Sequence, residues 1–473
     1  MRKIVLLIIP LFYSLHAWSL KGSFENDSIP YSAHLLSRYI KHESVTGNER
    51  IAGIFFSTIA RQKGFHVEIL TDEPGSYNFT ASLYPIESGK PNIILLNHID
   101  VVPAGKSGEY THPPFSGAIA DGYIWGRGAL DLKGMAVMQL LAMTHYIDQA
   151  RENDLPFNIT MLAVSGEEKG GDTGARIISE RYMEYLNPVA VYGEGGVGLP
   201  GVLRDEERKL FGISVADKRT LWLEVTLQMN MPGGHGAITP FNYVVLDKIR
   251  ALNRLANRSR RVRFTETTRN MFYELGRIEG GVRGLALRKP GVFRPFVNRA
   301  IKREEIIYSL VTNTVTITGI NTPYGPPNLI PQEITTVLDC RLLPEVDTEE
   351  FISEVKAILG NETMRIRILN EDIHTYPTRP DIYYDMMVEA LEAVYPGSAA
   401  IPVLAPASND NGYFRYHGIP TYGLLPVFIP VNVLESIHNV DERIPVDAME
   451  QGIAVYSELI KRIISQETTP DLP

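Results

Sequence analysis

The sequence contains one cysteine, Cys340, in 473 residues. A single thiol cannot form an internal disulfide, and it cannot supply the thiolate cluster of a structural zinc site. Basic residues are also few, with 46 Lys and Arg against 55 Asp and Glu, which gives a formal charge of −9. This balance argues against a polyanion-binding surface, so we expect no nucleic-acid partner.

Long apolar runs are missing beyond the N-terminus. Residues 1–3 read Met-Arg-Lys, and residues 4–18 form a run without Asp, Glu, Lys or Arg. A basic start followed by a short apolar run is typical of a secretory signal peptide, here cleaved near Ser19, and the run is shorter than the roughly 20 residues that span a bilayer. An uncleaved anchor is the alternative. We expect an exported protein, periplasmic or secreted, with no transmembrane segment after signal removal.

The chain length indicates two or three domains, because one core rarely exceeds about 250–300 residues. Helical segments alternate with short apolar strands such as 92–96 and 158–165, which is typical of an α/β fold. Two βαβ-like passages after residue 216 indicate a smaller α+β domain. We therefore predict a mostly parallel central sheet flanked by helices and interrupted by a ferredoxin-like domain. The predicted units are a signal peptide (1–19), a first catalytic part (20–215), an inserted lid and dimerisation domain (216–370) and a second catalytic part (371–473).

Five short stretches place an acid or a histidine after an apolar strand or among glycines. They are Asn97-His98-Ile99-Asp100, Gly128-Ala129-Leu130-Asp131, Gly166-Glu167-Glu168, Gly193-Glu194-Gly195 and Ile437-His438-Asn439. Each alone has an ordinary explanation, such as a helix cap or a solvated loop. In α/β sheets, however, reactive residues gather at the carboxyl ends of strands.

Together these stretches predict a catalytic metal site. Histidine and carboxylate ligands without sulfur suit Zn²⁺, and also Co²⁺ or Mn²⁺. Two neighbouring ions need a bridging carboxylate and further ligands on each side. That number is supplied by His98, Asp131, Glu168, Glu194 and His438. Glu167 is then a spare acid beside the metals, free to take a proton from water.

The motifs that contain these residues resemble those of the M20 family of di-zinc metallopeptidases. The stretches are NHIDVVPAG, PPFSGAIADGYIWGRGALDLKGM, VSGEEKGG, YGEGG and ESIHNVDE, in the order and spacing of the family. The family includes aminoacylases, acetylornithine and succinyl-diaminopimelate deacylases, and glutamate carboxypeptidases. The segment VFRPFVNRAIKREEIIYSLVTNTVTI most resembles the carboxypeptidase S and N-acyl amino acid hydrolase branch.

The resemblance implies a role for each residue of the metal site. Asp131 would bridge two zinc ions, with His98 and Glu194 on one ion and Glu168 and His438 on the other. Asp100 would orient His98, the usual role of such a partner. Glu167 would be the general base that activates the metal-bridging water, and afterwards the acid that protonates the leaving nitrogen.

The resemblance also implies roles for residues outside the metal site. His235 matches a lid histidine that donates to the oxyanion, while Asn328 and Arg341 match residues that bind the substrate carboxylate. In several family members the lid histidine and asparagine reach the partner subunit, which implies a homodimer through the lid domain. The segment Ala407-Ser408-Asn409-Asp410-Asn411 departs from the Gly-Gly-Thr-Asp-like loop of the family, and Asp410 is expected to bind substrate.

The predicted function is zinc-dependent cleavage of an amide bond next to a free carboxylate, in a small peptide or an N-acyl amino acid. Carboxypeptidase and N-acyl amino acid hydrolase both remain open. The alternatives are an aminopeptidase or dipeptidase that recognises a free amine, and a non-catalytic exported binding protein. The basic and apolar segment 280–303 suits a membrane-surface patch or a substrate cover, but we favour an insertion docked on the core of its own domain.

Overall fold

The structure is a computed structural model that describes residues 29–152, 154–229, 234–238, 240–258, 260–290, 292, 302, 305–323 and 325–466. The predicted signal peptide, 1–19, lies outside these ranges. Within them, no helix combines the length and the apolar character needed to cross a bilayer.

The strands form a nine-stranded sheet, a four-stranded sheet and a small three-stranded sheet. In chain order they are β1 (His66–Glu73), β2 (Ser76–Ser82), β3 (Asn92–His98), β4 (Ile119–Ala120), β5 (Tyr123–Trp125), β6 (Asn158–Val164), β7 (Pro188–Gly193), β8 (Val197–Gly198), β9 (Leu210–Asp217), β10 (Arg219–Gln228), β11 (Thr314–Asn321), β12 (Glu333–Leu342), β13 (Arg365–Glu371), β14 (Ala399–Ala405), β15 (Thr421–Gly423) and β16 (Arg443–Pro445).

The α-helices lie between and around these strands. In chain order they are α1 (Tyr31–Ile40), α2 (Arg50–Lys63), α3 (Lys133–Thr144), α4 (Ile147–Glu152), α5 (Ala175–Arg181), α6 (Met183–Leu186), α7 (Val244–Asn257), α8 (Glu266–Glu279), α9 (Gly281–Arg288), α10 (Glu305–Leu310), α11 (Thr348–Leu359), α12 (Ile382–Val394), α13 (Asn411–Tyr416), α14 (Val431–Leu434) and α15 (Val446–Ile464).

The nine-stranded sheet has the order β1-β2-β6-β3-β7-β15-β9-β14, with β8 paired to β9. Its central strands β6, β3, β7 and β15 run parallel, whereas β1 and β2 join antiparallel at one side. Every residue of β3, β6 and β7 is buried, because helices cover both faces of the parallel centre. The predicted α/β class with a mostly parallel central sheet is confirmed.

The four-stranded sheet is antiparallel and has the order β11-β12-β10-β13. Along β12, buried residues alternate with partly exposed ones, because α7 and α11 cover one face of the sheet and leave the other open. Leu338 and Cys340 belong to the buried face, and Asp339 and Arg341 lie on the open face. This sheet is the core of the inserted domain.

The described part of the segment 280–303 packs differently from the sequence expectation. Helix α9 packs against α8, and Leu287 joins an apolar cluster that contains Leu210 of β9 and Ile401 of β14. These strands belong to the nine-stranded sheet, whereas other members of the cluster belong to α8 of the inserted domain. The described part of the segment therefore docks on a cluster that both domains share, and not on the core of the four-stranded sheet. The sequence could not indicate this, because an apolar helix face does not specify which of two cores it covers.

Candidate metal centre

Three neighbouring parallel strands place four of the predicted site residues at one edge of the large sheet. His98 is the last residue of β3, and Glu194 directly follows β7. Glu167 and Glu168 lie in a single 3-10 turn, Glu167–Lys169, after β6. Because β6, β3 and β7 are adjacent and parallel, these side chains converge at the carboxyl edge.

Asp131 and His438 reach the same point from loops. Asp131 ends a glycine-rich turn just before α3, and His438 follows α14 on a loop. The φ of His438 is +59°, in the left-handed region that non-glycine residues rarely occupy. This backbone conformation turns the imidazole toward Asp131 and Glu168, while half of the side chain stays exposed.

The five predicted ligands form two groups that share Asp131. In each group the candidate ligand atoms lie within 4.8 Å of one another. Asp131 Oδ1 is 3.0 Å from His98 Nε2, and Asp131 Oδ2 is 2.9 Å from His438 Nε2. Glu194 completes the first group at 4.0 Å from His98 Nε2, and Glu168 completes the second at 3.2 Å from His438 Nε2. Two oxygens of one carboxylate facing different histidines are the arrangement that a bridging ligand requires.

The electrostatics of the cluster suit divalent cations. Burial raises the pKa of Glu194 to about 8, and the nearby Asp131 and Asp410 add to that shift. Hydrogen bonds to Asp131 and Glu168 raise the pKa of His438 to about 10. Glu168 Oε1 is buried without a hydrogen-bond partner among the described atoms. So many acids in a largely buried cluster are costly unless positive charge lies between them, and their donor set fits hard to borderline metals.

Asp100 connects the histidine of one group to the glutamates of the turn. Its backbone carbonyl lies 3.0 Å from His98 Nδ1, and its carboxylate lies 3.6 Å from the same nitrogen. The carboxylate accepts hydrogen bonds from the backbone N–H of Glu167 at 3.1 Å and of Glu168 at 3.2 Å. Asp100 is fully buried and therefore positions both elements from behind the cluster.

Glu167 lines the same pocket but belongs to neither group of candidate ligands. Burial raises the pKa of its carboxyl group well above the usual range, and the neighbouring Glu194 adds to the shift. An acid beside a metal site that is not itself a ligand can accept and return a proton.

A pocket of about 350 Å³ extends from the two groups of candidate ligands, the metal groups, to the open face of the four-stranded sheet. Arg341 lies in its wall, where two guanidinium nitrogens donate to Asp339 and a third donates to Thr220 Oγ1 at 2.8 Å. Because a guanidinium has five N–H groups, two remain for another acceptor. Trp222 on β10 lies directly opposite Asp339 in the neighbouring strand β12. Its side chain contributes an apolar part of the pocket wall.

Asp410 lies in the pocket wall beside the metal groups. Its side chain is buried, and its Oδ2 has no hydrogen-bond partner among the described atoms. Burial raises its pKa to about 7. The structure thus brings Asp410 and Arg341 to the same pocket as the metal groups.

His235 and Asn328 lie elsewhere. They form a pair on an exposed part of the inserted domain, with His235 Nε2 3.0 Å from the side-chain amide of Asn328. Neither residue is among those that line the pocket in the described chain. Within one chain, His235 and Asn328 are therefore separate from the metal groups.

Several residues that support the site were missed by the sequence analysis. Asn411 donates to the backbone carbonyl of Glu194 at 2.6 Å. A Cβ on Gly423 would lie 1.8 Å from that same carbonyl, so only glycine leaves room for this contact. Arg127 and Glu442 form a buried ion pair behind Asp131. The last two occur in the motifs GRGALD and HNVDE, but the charge of each residue is typical of an exposed position.

Comparison with known protein families identifies the family of this chain. The profile of peptidase family M20/M25/M40 matches residues 94–462. The chain belongs to this family. It is therefore a metal-dependent peptidase or amidohydrolase, and the two groups around Asp131 are its candidate metal ligands.

Two similar proteins are named for different activities. The chain is 28% identical to the N-fatty-acyl-amino acid synthase/hydrolase PM20D1 of Bos taurus over 435 residues, which are 86% of this chain and 82% of that protein. It is 24% identical to the probable carboxypeptidase S-like 2 of Dictyostelium discoideum over 380 residues, 79% of this chain and 72% of the other.

A solved structure supports the fold. An M20 family metallo-carboxypeptidase from Sulfolobus solfataricus superposes with a TM-score of 0.69 at 20% identity, covering 92% of this chain and all of that chain. At this identity the likeness establishes the fold alone.

Proposed function

We propose that this chain hydrolyses an amide bond next to a free carboxylate, as a carboxypeptidase or an N-acyl amino acid hydrolase. The observation that carries the proposal is the position of Arg341 in the same pocket as Glu167 and the metal groups. A guanidinium with two free N–H groups can bind a carboxylate with two parallel hydrogen bonds. The adjacent Trp222 supports an amino acid with an apolar side chain as the residue that carries the carboxylate.

The proposed cofactor is a pair of zinc ions, held by the two groups that share Asp131. When bound, such ions polarise the scissile carbonyl and lower the pKa of water toward about 7. Glu167 takes the proton of the attacking water and passes it to the leaving nitrogen. Asp100 holds His98 and the Glu167 turn in place throughout.

Replacing Arg341 tests the carboxylate proposal. Arg341→Ala should raise KM for an N-acyl amino acid by about 10–100-fold, because a charge-assisted bond is worth about 1.5–3 kcal/mol. The C-terminal amide of the same compound should be hydrolysed slowly by both proteins, with little difference between them. Arg341→Lys is the matched control, since it retains the charge but not the paired geometry. Equal losses on the acid and the amide would contradict the proposal.

A second candidate function is a dipeptidase that recognises a free amine. The buried Asp410, with Oδ2 unpaired, supports this alternative, because an ammonium group would satisfy that oxygen. Rates on a free dipeptide and on its N-acetyl derivative separate the two candidates. Preference for the acetylated compound favours the carboxypeptidase or N-acyl amino acid hydrolase, and preference for the free amine favours the dipeptidase.

We also propose that His235 and Asn328 act in the pocket of a second copy of the chain, in a homodimer joined through the inserted domains. Their exposure and their absence from the pocket lining of the described chain support this arrangement.

Mixing two inactive variants tests the dimer. His235→Ala should lose about 10²–10³-fold in kcat, the usual cost of one oxyanion donor. If His235 acts across the interface, mixing this variant with Glu167→Gln after dissociation and reassociation should restore up to a quarter of the wild-type activity, because some mixed dimers hold one complete site. Mixtures that stay as inactive as their parents would contradict the proposal.

A further inference from the structure

A buried ion pair lies directly behind the metal groups. Arg127 Nη1 is 2.7 Å from Glu442 Oε2, and the two side chains are 2% and 0% exposed. Arg127 belongs to the glycine-rich turn before Asp131, and Glu442 lies four residues after His438. The pair therefore joins the two loops that carry Asp131 and His438, which are distant in sequence.

The second oxygen of Glu442 holds the backbone of Asp131 itself. Glu442 Oε1 accepts hydrogen bonds from the N–H groups of Leu130 at 2.9 Å and of Asp131 at 3.2 Å. The backbone carbonyl of Glu442 accepts from Gly126 N–H at 2.8 Å. The turn is thus fixed at both ends by one residue of the other loop.

Arg127 in turn fixes the position of Glu442. Besides its bond to the carboxylate, Arg127 donates through Nη2 to the hydroxyl of Tyr110 at 3.1 Å, and that hydroxyl donates to the carbonyl of Ala104 at 2.6 Å. A buried charge without its partner is costly, so neither member can move without the other.

We propose that Arg127 and Glu442 are positioning residues of the metal centre. They fix the direction of the Asp131 carboxylate and its distance from His438, and they touch neither substrate nor the reacting atoms. The inference rests on the proposed function in one respect, namely that Asp131 and His438 are metal ligands. Because Asp131 belongs to both groups, a small rotation of its backbone would disturb both sites together.

Zinc affinity of the full chain tests this inference. Glu442→Gln should bind zinc about 10–100-fold more weakly in competition with a chelator, the usual cost of losing a supporting partner of a ligand. It should also lower kcat while leaving KM unchanged, since Glu442 does not contact substrate. Glu279→Gln is the matched control, because Glu279 is a buried carboxylate on α8 paired with Arg283 at 3.1 Å, and neither residue is a candidate ligand. It should lose stability and keep its zinc affinity.

The inference is overturned if Glu442→Gln behaves like Glu279→Gln, with a lower melting temperature and unchanged zinc affinity. If the single variant does not fold, the neutral pair Arg127→Gln with Glu442→Gln takes its place, because two amides can still hydrogen-bond without a buried unpaired charge. The zinc measurement needs no substrate. A chain that binds zinc but hydrolyses no amide would therefore contradict the proposed function and leave this inference standing.

Discussion

Glu167→Gln is expected to lose at least about two orders of magnitude in kcat while keeping its fold and its bound metal, because general acid–base groups contribute about 10²–10⁴-fold. The glutamine amide keeps the size of the carboxylate but cannot accept the proton of the attacking water. Glu167 belongs to neither candidate ligand group, so metal content should not change. Steady-state kinetics together with metal analysis of the same preparation check both parts.

The control for this variant is Glu152→Gln, which makes the same chemical change at an exposed position on α4. It should leave kcat, KM and metal content at wild-type values. Near-normal turnover by Glu167→Gln would show that another group moves the proton. A loss of metal in this variant would instead make Glu167 a ligand.

Much of the site could be predicted because several of its residues directly follow strands of the central sheet. His98, the Glu167 turn and Glu194 each come at the end of an apolar run that forms a central parallel strand. Neighbouring parallel strands end at the same edge, so their convergence follows from local sequence alone. The two loop residues, Asp131 and His438, do not follow strands of the sheet. Ligand type and the number of ligands that two ions need made them candidates, and the family resemblance assigned their positions in the cluster.

The residues behind the metal groups, Arg127 and Glu442, could not be predicted from the sequence, and the reason is physical. An arginine in a glycine-rich turn and a glutamate beside an aspartate are usually exposed, and only the folded chain shows Arg127 and Glu442 buried together. The polar partner of each lies more than 300 positions away in the sequence. Spacing within one segment carries no information about such a pair.

The inserted domain shows where short apolar runs mislead. The apolar sequence of residues 310–317 is typical of a strand, but the strand β11 covers Thr314–Asn321, and Leu310 is the last residue of α10. Leu310 belongs to α10, where it packs with Ile307 against the apolar cluster that contains Ile401 of β14, and the strand begins only after this helix has ended. The sequence of residues 132–150 is likewise typical of one long helix, but the chain forms α3 and α4 there, although no glycine or proline marks the break.

Asp131→Ala should remove both metal ions, whereas His438→Ala should remove only one. Asp131 is the residue common to the two ligand groups, with one carboxylate oxygen 3.0 Å from His98 and the other 2.9 Å from His438. Its loss also leaves Glu168 and Glu194, whose charges repel each other, without the group that both ligand sets share. Activity should therefore fall by more than the about 10²–10³-fold that removal of one transition-state donor costs.

Metal stoichiometry by plasma mass spectrometry decides this prediction. The wild-type chain should hold two equivalents, His438→Ala about one, and Asp131→Ala well below one at the same free metal concentration. His145→Ala is the matched control, because this imidazole lies at the end of α3 and contacts Ser457 at 3.1 Å, away from the cluster. Two retained equivalents in Asp131→Ala would mean that the ions bind independently, and the bridged arrangement would have to be abandoned.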